Sequence, residues 1–218
     1  MRNHGVAAVL VALVLAAAPV RAQEPDTGVG DFYGELNNPE RNSAGTPINQ
    51  DYFAREQFSG TKYLIYLVEK GHVNEKVFND FQTGDYKSVL ADMKYALERV
   101  PNHPRALMLL CGVARMTSQP AIPIPFFERA LKLYPQYAFT HAQFGLYLTQ
   151  IEQYDAGIEQ LKKATEIDPK MAQAQAWLAE AYFDKGDRES GRLAAEQARK
   201  LGHQKPIPGE DAASSARN

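Results

Sequence analysis

The chain has 218 residues, of which 44% are hydrophobic and 23% are charged, and its formal net charge at pH 7 is -2. Such a composition is typical of a folded globular or solenoid domain and leaves enough apolar side chains for a substantial core. The nearly balanced charge argues against nucleic acid and against anionic lipid as partners.

The first 22 residues have the pattern of a targeting segment. An uninterrupted apolar run over residues 6–18 follows two residues that can carry positive charge, and it is too short to cross a bilayer. Residues 20–22, Val-Arg-Ala, form a small-x-Ala site of the kind that signal peptidase cleaves. The sequence therefore predicts a signal peptide over 1–22, a mature periplasmic protein that begins at Gln23, and no membrane span after cleavage. A permanent N-terminal anchor is the alternative.

Residues 23–60 are rich in Gly, Pro, Asn and Ser and show no helical or alternating period, so we expect an irregular arm here. Aromatic residues nevertheless crowd into this arm and the segment after it, namely Phe32, Tyr33, Tyr52, Phe53, Phe58, Tyr63 and Tyr66. A wholly solvated linker would not carry so many. Part of the arm is therefore expected to lie against the first of the repeated units that follow.

A period of 34 residues organises the rest of the chain. An Ala-x-x-x-x-Pro sequence recurs at 96–101, 130–135 and 164–169. This period divides the chain into units 70–103, 104–137, 138–171 and 172–203. Position 27 of the units is alanine every time, at Ala96, Ala130, Ala164 and Ala198. A 34-residue repeat predicts helical hairpins that bury their apolar faces only by stacking on their neighbours.

The units resemble the tetratricopeptide family, in which small residues lie where helices approach most closely. Position 8, a small site in the first helix, holds Val77, Cys111, Gly145 and Ala179. A Gly-Asp pair at 84–85 and again at 186–187 marks turns where Gly ends one helix and Asp caps the next. The resemblance covers about residues 70–203 and implies an all-α fold, an α-solenoid of about four helical hairpins with the irregular N-terminal arm. A fainter likeness, at 67–72 and 100–107, is to exported bacterial repeat proteins.

Three further segments modify this pattern. Residues 61–69 have an apolar face of helical spacing, so we expect a helix that packs on the first unit and extends the array to 61–203. Three prolines within 120–125 predict that the second helix of the second unit begins late, near residues 123–126. The fourth unit has no amphipathic capping helix after it, and the tail at 204–218 is predicted to be disordered.

No motif for catalysis, cofactor binding or metal binding stands out in the sequence. The histidines of the mature chain never form the i, i+3 or i, i+4 pairs that place two metal ligands on one helix face. Cys111, the only cysteine, occupies a small helix-packing position, which favours a buried structural residue over a nucleophile. The resemblance implies an interaction module and not an enzyme. An enzyme or metal binder built from scattered histidines and carboxylates is an alternative from a different class.

The resemblance also implies a binding surface, because the concave side in this family is lined by the first helix of each unit. Carried over to this chain, those positions are mostly apolar or aromatic. They are Phe78, Phe81, Met108, Arg115, Phe139, Leu146, Trp177 and Phe183. Such a surface suits an extended or helical polypeptide segment. The competing interpretation is that the protein's own aromatic arm fills this groove.

These features together predict a non-enzymatic adaptor in the bacterial periplasm that binds another protein or a peptide segment, within an envelope assembly or secretion system. No cofactor, metal or nucleic acid is implied. The alternative is a structural subunit of an envelope complex that self-associates through the exposed end of the array. An oligomer is therefore compatible with the sequence.

Overall fold

The computed structural model describes residues 49–56 and 59–210, so the predicted signal peptide, most of the arm and the last residues of the tail lie outside the described part. Within these ranges all regular secondary structure is helical. The helices are, in chain order, α1 (Ser59–His72), α2 (Glu75–Thr83), α3 (Tyr86–Arg99), α4 (Pro104–Met116), α5 (Ile124–Leu133), α6 (Ala138–Gln150), α7 (Tyr154–Ile167), α8 (Ala172–Lys185) and α9 (Arg188–Lys200).

The helices pair into hairpins that stack along the chain. α2 packs on α3, α6 on α7 and α8 on α9, while α4 and α5 form the second unit. Successive units meet through α3 with α4, α5 with α6, and α7 with α8. The first helices of the last three units also lie side by side, α4 beside α6 and α6 beside α8. The architecture is the all-α solenoid of about four hairpins that the sequence predicts.

Two turns between paired helices are built by a Gly-Asp pair. Gly84 ends α2 in the left-handed conformation with φ 85°, and the Asp85 carboxylate accepts a hydrogen bond from a backbone N–H in the first turn of α3. Gly186, with φ 93°, and Asp187 repeat this arrangement between α8 and α9. Glycine adopts this conformation without a Cβ penalty, and the carboxylate pairs an otherwise unpaired N–H. Both predicted turns are confirmed.

The second unit departs from this pattern because of its prolines. α5 begins only at Ile124, with Pro123 at its N-terminal cap and Pro125 in its first turn, where the missing N–H would have no helical partner in any case. This late start confirms the sequence prediction. The loop before α5 is tied to the third unit, because the Tyr147 hydroxyl donates to the carbonyl oxygen of Pro120 at 2.7 Å.

The core follows the 34-residue period. Each alanine at position 27 is 0% exposed, namely Ala96, Ala130, Ala164 and Ala198. This confirms that position 27 is a close-packing site. Larger rings fill the space between the second and third units, where Phe127 stacks on Phe144 with ring centroids 4.9 Å apart.

The closest approach in the third unit is made by two glycines, one on α6 and one on α7. A Cβ on Gly145 would lie 2.6 Å from Leu161 Cγ and 2.8 Å from the carbonyl oxygen of Gly157. A Cβ on Gly157 would lie 2.6 Å from the Thr149 hydroxyl oxygen. The absence of side chains at these two positions therefore allows the two helix backbones to meet.

Both ends of the helical array are covered. α1 packs on α3 and buries Ile65 and Val68, each 1% exposed. At the other end, Ile207 is 5% exposed and belongs to the apolar cluster of the last hairpin. The sequence predicts disorder from residue 204, whereas residues 204–210 are packed here. The reason is that Ile207 covers an apolar edge of the last hairpin that would otherwise be exposed.

In the part of the chain that the structure describes, no helix combines the length and the apolar character that a membrane crossing requires.

Candidate polypeptide-binding surface

The residues that the sequence suggests for binding lie on the first helices of the four units, α2, α4, α6 and α8. We call this set the helix-A face; it consists of Phe78, Phe81, Met108, Arg115, Phe139, Leu146, Trp177 and Phe183. Because α4, α6 and α8 lie side by side, their parts of the face are adjacent. The eight side chains differ in how far they are open to solvent.

The part of the helix-A face on α4 is the most open. Met108 is 56% exposed, Arg115 is exposed, and the neighbouring Met116 is also 56% exposed. Met108, Gly112 and Arg115 are four and three residues apart, so they share one stripe along the helix. α4 thus presents a flexible apolar side chain and a guanidinium group to solvent.

Other members of the helix-A face are partly used by the fold. The Phe81 ring meets Tyr86 edge-on with centroids 5.8 Å apart, and a Cβ on Gly112 would lie 2.9 Å from that ring. Gly112 therefore makes room for Phe81 between α2 and α4. Phe78 and Leu146 are half-buried.

The side chains of Phe183 and Trp177 pack within the last hairpin. A Cβ on Gly191 or on Gly209 would lie 2.5 Å from atoms of Phe183, so this side chain is packed between α9 and the segment that follows it. Trp177 is half-buried and packs against the same apolar cluster. The sequence does not reveal this packing of Phe183, because the covering segment at 204–210 carries a single large apolar residue.

Phe139 joins the helix-A face to the N-terminal arm. Its ring meets that of Phe53 nearly perpendicularly, with centroids 6.4 Å apart. Phe53 also lies 4.7 Å from the Tyr137 ring. Residues 49–56 of the arm therefore lie against the repeats, as the sequence predicts for part of the arm. Among the described arm residues, Phe53 makes the ring contact with the helix-A face, through Phe139.

The surface that holds residues 49–56 is built from the ends of the first and second units together with α1. We call it the arm cleft. Its residues are Glu69, Arg99, Asn102, His103, Arg129, Tyr134 and Tyr137.

Asn102 makes the central contact in the arm cleft. It is 0% exposed, and its side-chain oxygen accepts from Tyr52 N at 2.8 Å while its side-chain nitrogen donates to Asp51 Oδ1 at 2.7 Å. The backbone N–H of Gln50 donates to the carbonyl oxygen of Arg99 at 2.7 Å. The buried Asn102 side chain thus hydrogen-bonds both to the backbone N–H of Tyr52 and to the carboxylate of the preceding residue, Asp51.

Side chains of the second unit bind Asn49 and Asp51 of the arm. Arg129 Nη2 donates to Asn49 Oδ1 at 2.7 Å, and the Tyr134 hydroxyl donates to the Asn49 carbonyl oxygen. The Tyr137 hydroxyl donates to Asp51 Oδ2 at 2.5 Å. Burial raises the pKa of Tyr134 to about 12, and burial together with the bond to Asp51 raises the pKa of Tyr137. Both hydroxyls therefore stay protonated donors at neutral pH.

Tyr52 lies on the buried imidazole of His103, with ring centroids 4.7 Å apart. Its hydroxyl donates to Glu69 Oε1 at 3.3 Å, and the same carboxylate oxygen is 3.6 Å from His103 Nε2. His103 Nδ1 accepts from Ala106 N at 3.3 Å and so caps α4. Burial lowers the pKa of His103 to about 4. The ring is therefore neutral at pH 7, with its proton on Nε2, the nitrogen that faces Glu69.

The residues of the arm cleft were not among the sequence-predicted site residues. Asn102, His103, Tyr134 and Tyr137 lie at the ends of repeat units, positions that a family pattern treats as turns. The one available signal was the crowding of aromatic residues in the arm, which required an apolar surface somewhere in the repeats. The three-dimensional structure is needed to show which turn residues these aromatic side chains contact.

The remaining candidates for chemistry contribute little to a reactive site. In residues 49–56 and 59–210 no group of three His, Cys, Asp or Glu side chains is arranged to hold a metal ion. Burial raises the pKa of the Cys111 thiol to about 12, so the sulfur is a protonated and weakly nucleophilic thiol at neutral pH.

The third and fourth units carry a recognisable sequence signature. Residues 145–186, which run from α6 through α8, match the family model described as TPR repeat. No curated protein matches the chain significantly.

Solved structures with a similar helical arrangement include MamA AMB-1, which is 14% identical with a TM-score of 0.45 over 73% of this chain and 91% of that one. Another MamA structure is 19% identical, with a TM-score of 0.46 over 75% and 95% of the two chains. YrrB, described as a TPR protein with an unusual peptide-binding site, is 20% identical, with a TM-score of 0.46 over 75% and 88%. Residues 145–186 thus match a tetratricopeptide repeat model, and the helical hairpins before them follow the same 34-residue period.

Proposed function

We propose that the protein is a non-catalytic adaptor that binds a polypeptide segment of another protein on the helix-A face, with α4 at the centre of the contact. The observation that carries this proposal is the open stripe on α4, where Met108 is 56% exposed beside an exposed Arg115. Met116, also 56% exposed, lies on the same helix, and exposed apolar side chains that cluster on one surface mark interaction sites.

The chemistry of this stripe suits a peptide ligand. Methionine side chains are flexible and polarisable, and they adapt to apolar partner surfaces of different shapes. Arginine is enriched among the residues that dominate binding energies, because its guanidinium pairs with carboxylates and carbonyls in a fixed geometry. Full burial of the Met108 side chain would contribute about 1.5–3 kcal/mol before ordering costs are subtracted.

The location that we propose is the bacterial periplasm, within an envelope assembly or secretion system. The support is the sequence pattern of residues 1–22, an apolar run of signal-peptide length followed by a small-x-Ala site. Cell fractionation with N-terminal sequencing tests this location. A soluble periplasmic form that begins at Gln23 is the expected result, whereas membrane-bound protein that keeps Met1 would contradict it.

Site-specific photocrosslinking in intact cells tests the proposed binding surface. A crosslinking amino acid at position 108 or 115 of the full chain should capture the same partner protein, and one at the exposed Glu159 on α7 should not. Met108→Ala should reduce capture from position 115 by about tenfold, a typical effect for a central interface side chain.

Leu193 provides a matched control for Met108, because it is 55% exposed but lies on α9, the second helix of its hairpin. Leu193→Ala should leave capture unchanged. Equal effects of the two substitutions would contradict the assignment of the binding surface. Capture of a second copy alone, with light scattering that shows an oligomer, would instead support the self-associating structural subunit.

A further inference from the structure

We propose that the arm cleft is a second peptide-recognition site, specific for an Asp-Tyr-Phe segment, and that a partner polypeptide carrying this pattern binds there by displacing the chain's own residues 49–56. This inference goes beyond the adaptor function on the helix-A face, because the cleft is built by other residues. The two surfaces meet at Phe139, through its ring contact with Phe53.

The cleft contacts main chain and side chain of the arm together, as a peptide-binding site does. Asn102 is 0% exposed, and both polar atoms of its side chain bond to the arm, to Tyr52 N and to Asp51 Oδ1. The carbonyl oxygen of Arg99 accepts from Gln50 N. A fully buried amide whose oxygen and nitrogen both bond to one passing segment is a receptor for that segment.

The contacts in the cleft select particular residue types. Aspartate is selected by two donors, Asn102 Nδ2 at 2.7 Å and the Tyr137 hydroxyl at 2.5 Å. A tyrosine is selected at the next position, because its ring lies on His103 and its hydroxyl reaches Glu69. The following phenylalanine packs on Tyr137 with ring centroids 4.7 Å apart. The order acid, tyrosine, aromatic is therefore encoded in the cleft.

The arm can be exchanged without disturbing the helices. Residues 49–56 contain no helix, and they add no residue to the buried apolar core. An open cavity of about 440 Å³ adjoins them, lined by residues of the arm, α1 and the turn between α5 and α6, namely Asn49, Gln50, Asp51, Ala54, Thr61, Tyr134, Gln136 and Tyr137. An incoming segment can therefore approach the cleft beside the resident one.

The test measures binding of a labelled synthetic peptide, residues 49–56 of this chain, to the full-length protein by fluorescence anisotropy. Wild type should bind weakly, because a tethered arm competes at an effective concentration on the order of millimolar. A chain whose own arm carries Asp51→Ala and Tyr52→Ala should bind the peptide at least tenfold more tightly. Unchanged affinity in this arm-weakened chain would overturn the proposal.

Variants of the cleft and of the peptide sharpen the result. In the arm-weakened chain, Tyr137→Phe removes only the hydroxyl that donates to the peptide carboxylate and should weaken binding roughly tenfold, as the loss of a charge-assisted hydrogen bond does. Met108→Ala should have no effect, which separates this site from the helix-A face. Equal binding of a peptide with alanine at the Asp and Tyr positions would show unspecific adhesion and overturn the inference. A dimer of wild type formed by exchanged arms would overturn the assignment to a separate partner protein.

Discussion

Gly145 and Gly157 show how a single missing side chain sets the distance between two helices. A glycine in a helix interior ordinarily costs about 1 kcal/mol relative to alanine. Here that cost is offset by the packing that close contact of α6 and α7 allows, since the atoms nearest to a Cβ on Gly145 include a backbone carbonyl oxygen that cannot move aside.

Gly145→Ala is expected to destabilise the protein by about 1–3 kcal/mol, because overpacking outweighs the gain in helix propensity. Gly71 is the matched control, since it lies in α1 and a Cβ there would meet no atom within 4 Å. Gly71→Ala should leave stability equal or raise it by up to about 1 kcal/mol. Urea denaturation of the two variants gives the answer, and a stabilising Gly145→Ala would be incompatible with the close approach of these helices.

His103 couples the arm cleft to pH. Its pKa is about 4 in the folded protein against an ordinary value of 6.5, chiefly because burial disfavours the charged ring, with smaller contributions from Arg105 and Arg55. The unfolded chain therefore takes up the proton first as pH falls. The neutral ring contributes its full stability above pH 6.5, and this contribution is lost between pH 6.5 and 4.

The expected loss attributable to His103 is about 3 kcal/mol on going from pH 7 to pH 4. His103→Asn keeps a side-chain oxygen that can cap α4 but removes the titrating group. Denaturation midpoints measured across this pH range should therefore fall less steeply for the variant. Parallel curves for the two proteins would rule out a lowered pKa of His103 in the folded protein.

At the residue scale, the sequence predicts the sites that recur and misses those that do not. The alanines at position 27 follow from the period alone, because the same steric demand returns in every unit. Asn102 and His103 gain their roles from arm residues that are about 50 positions away in the chain. No local pattern records such a pairing.

Among the elements, α9 shows how the segment that follows a helix can cover its hairpin. The Arg199 guanidinium donates to the carbonyl oxygens of His203 and Lys205 and pairs with the Glu210 carboxylate, so it holds the segment after α9 in place. That segment then brings Ile207 onto the apolar cluster and Gly209 onto Phe183. Prolines and polar residues dominate the segment after α9, so the sequence predicts disorder there. The packing of the single Ile207 is not apparent from such a composition.

Ile207→Ala is expected to destabilise the last hairpin by about 2–4 kcal/mol, as large-to-small substitutions at buried sites do. Lys205→Ala is the control, because its side chain is exposed and only its backbone carbonyl is used. The change should appear in hydrogen exchange of α8 and α9 amides. Indistinguishable exchange in the two variants would mean that residues 204–210 do not cover the hairpin.

For the whole molecule, stability is shared between neighbouring units, as in other solenoids. The arm is an exception, because residues 49–56 bond to both the first and the second unit and touch the third through Phe139. The period predicts the stacking of units correctly. The period does not predict the contacts of the arm, because the arm does not recur from unit to unit.

Asp51→Ala in the full chain should therefore act locally along the array. Amide exchange should accelerate in the segment 100–106 and at the start of α6, because Asn102 and Tyr137 lose their shared partner. α8 and α9 should exchange as in wild type, since the hydrogen bonds described above join the arm to the first two units. Uniform acceleration over all units would show that the arm is part of one cooperative core.

The arm also determines the order in which the parts of the molecule can fold and dock. Its hydrogen bonds join residues 50, 80, 85 and 86 positions apart, whereas each hairpin closes over a few tens of residues. Residues 49–56 are synthesised before Tyr134 and Tyr137 exist, so at ordinary elongation rates they wait on the order of 10 s for a place to dock. Hairpins can form during this interval, and arm docking is then a separate and later event. Among the described segments, the one made first is thus the last to reach its final position.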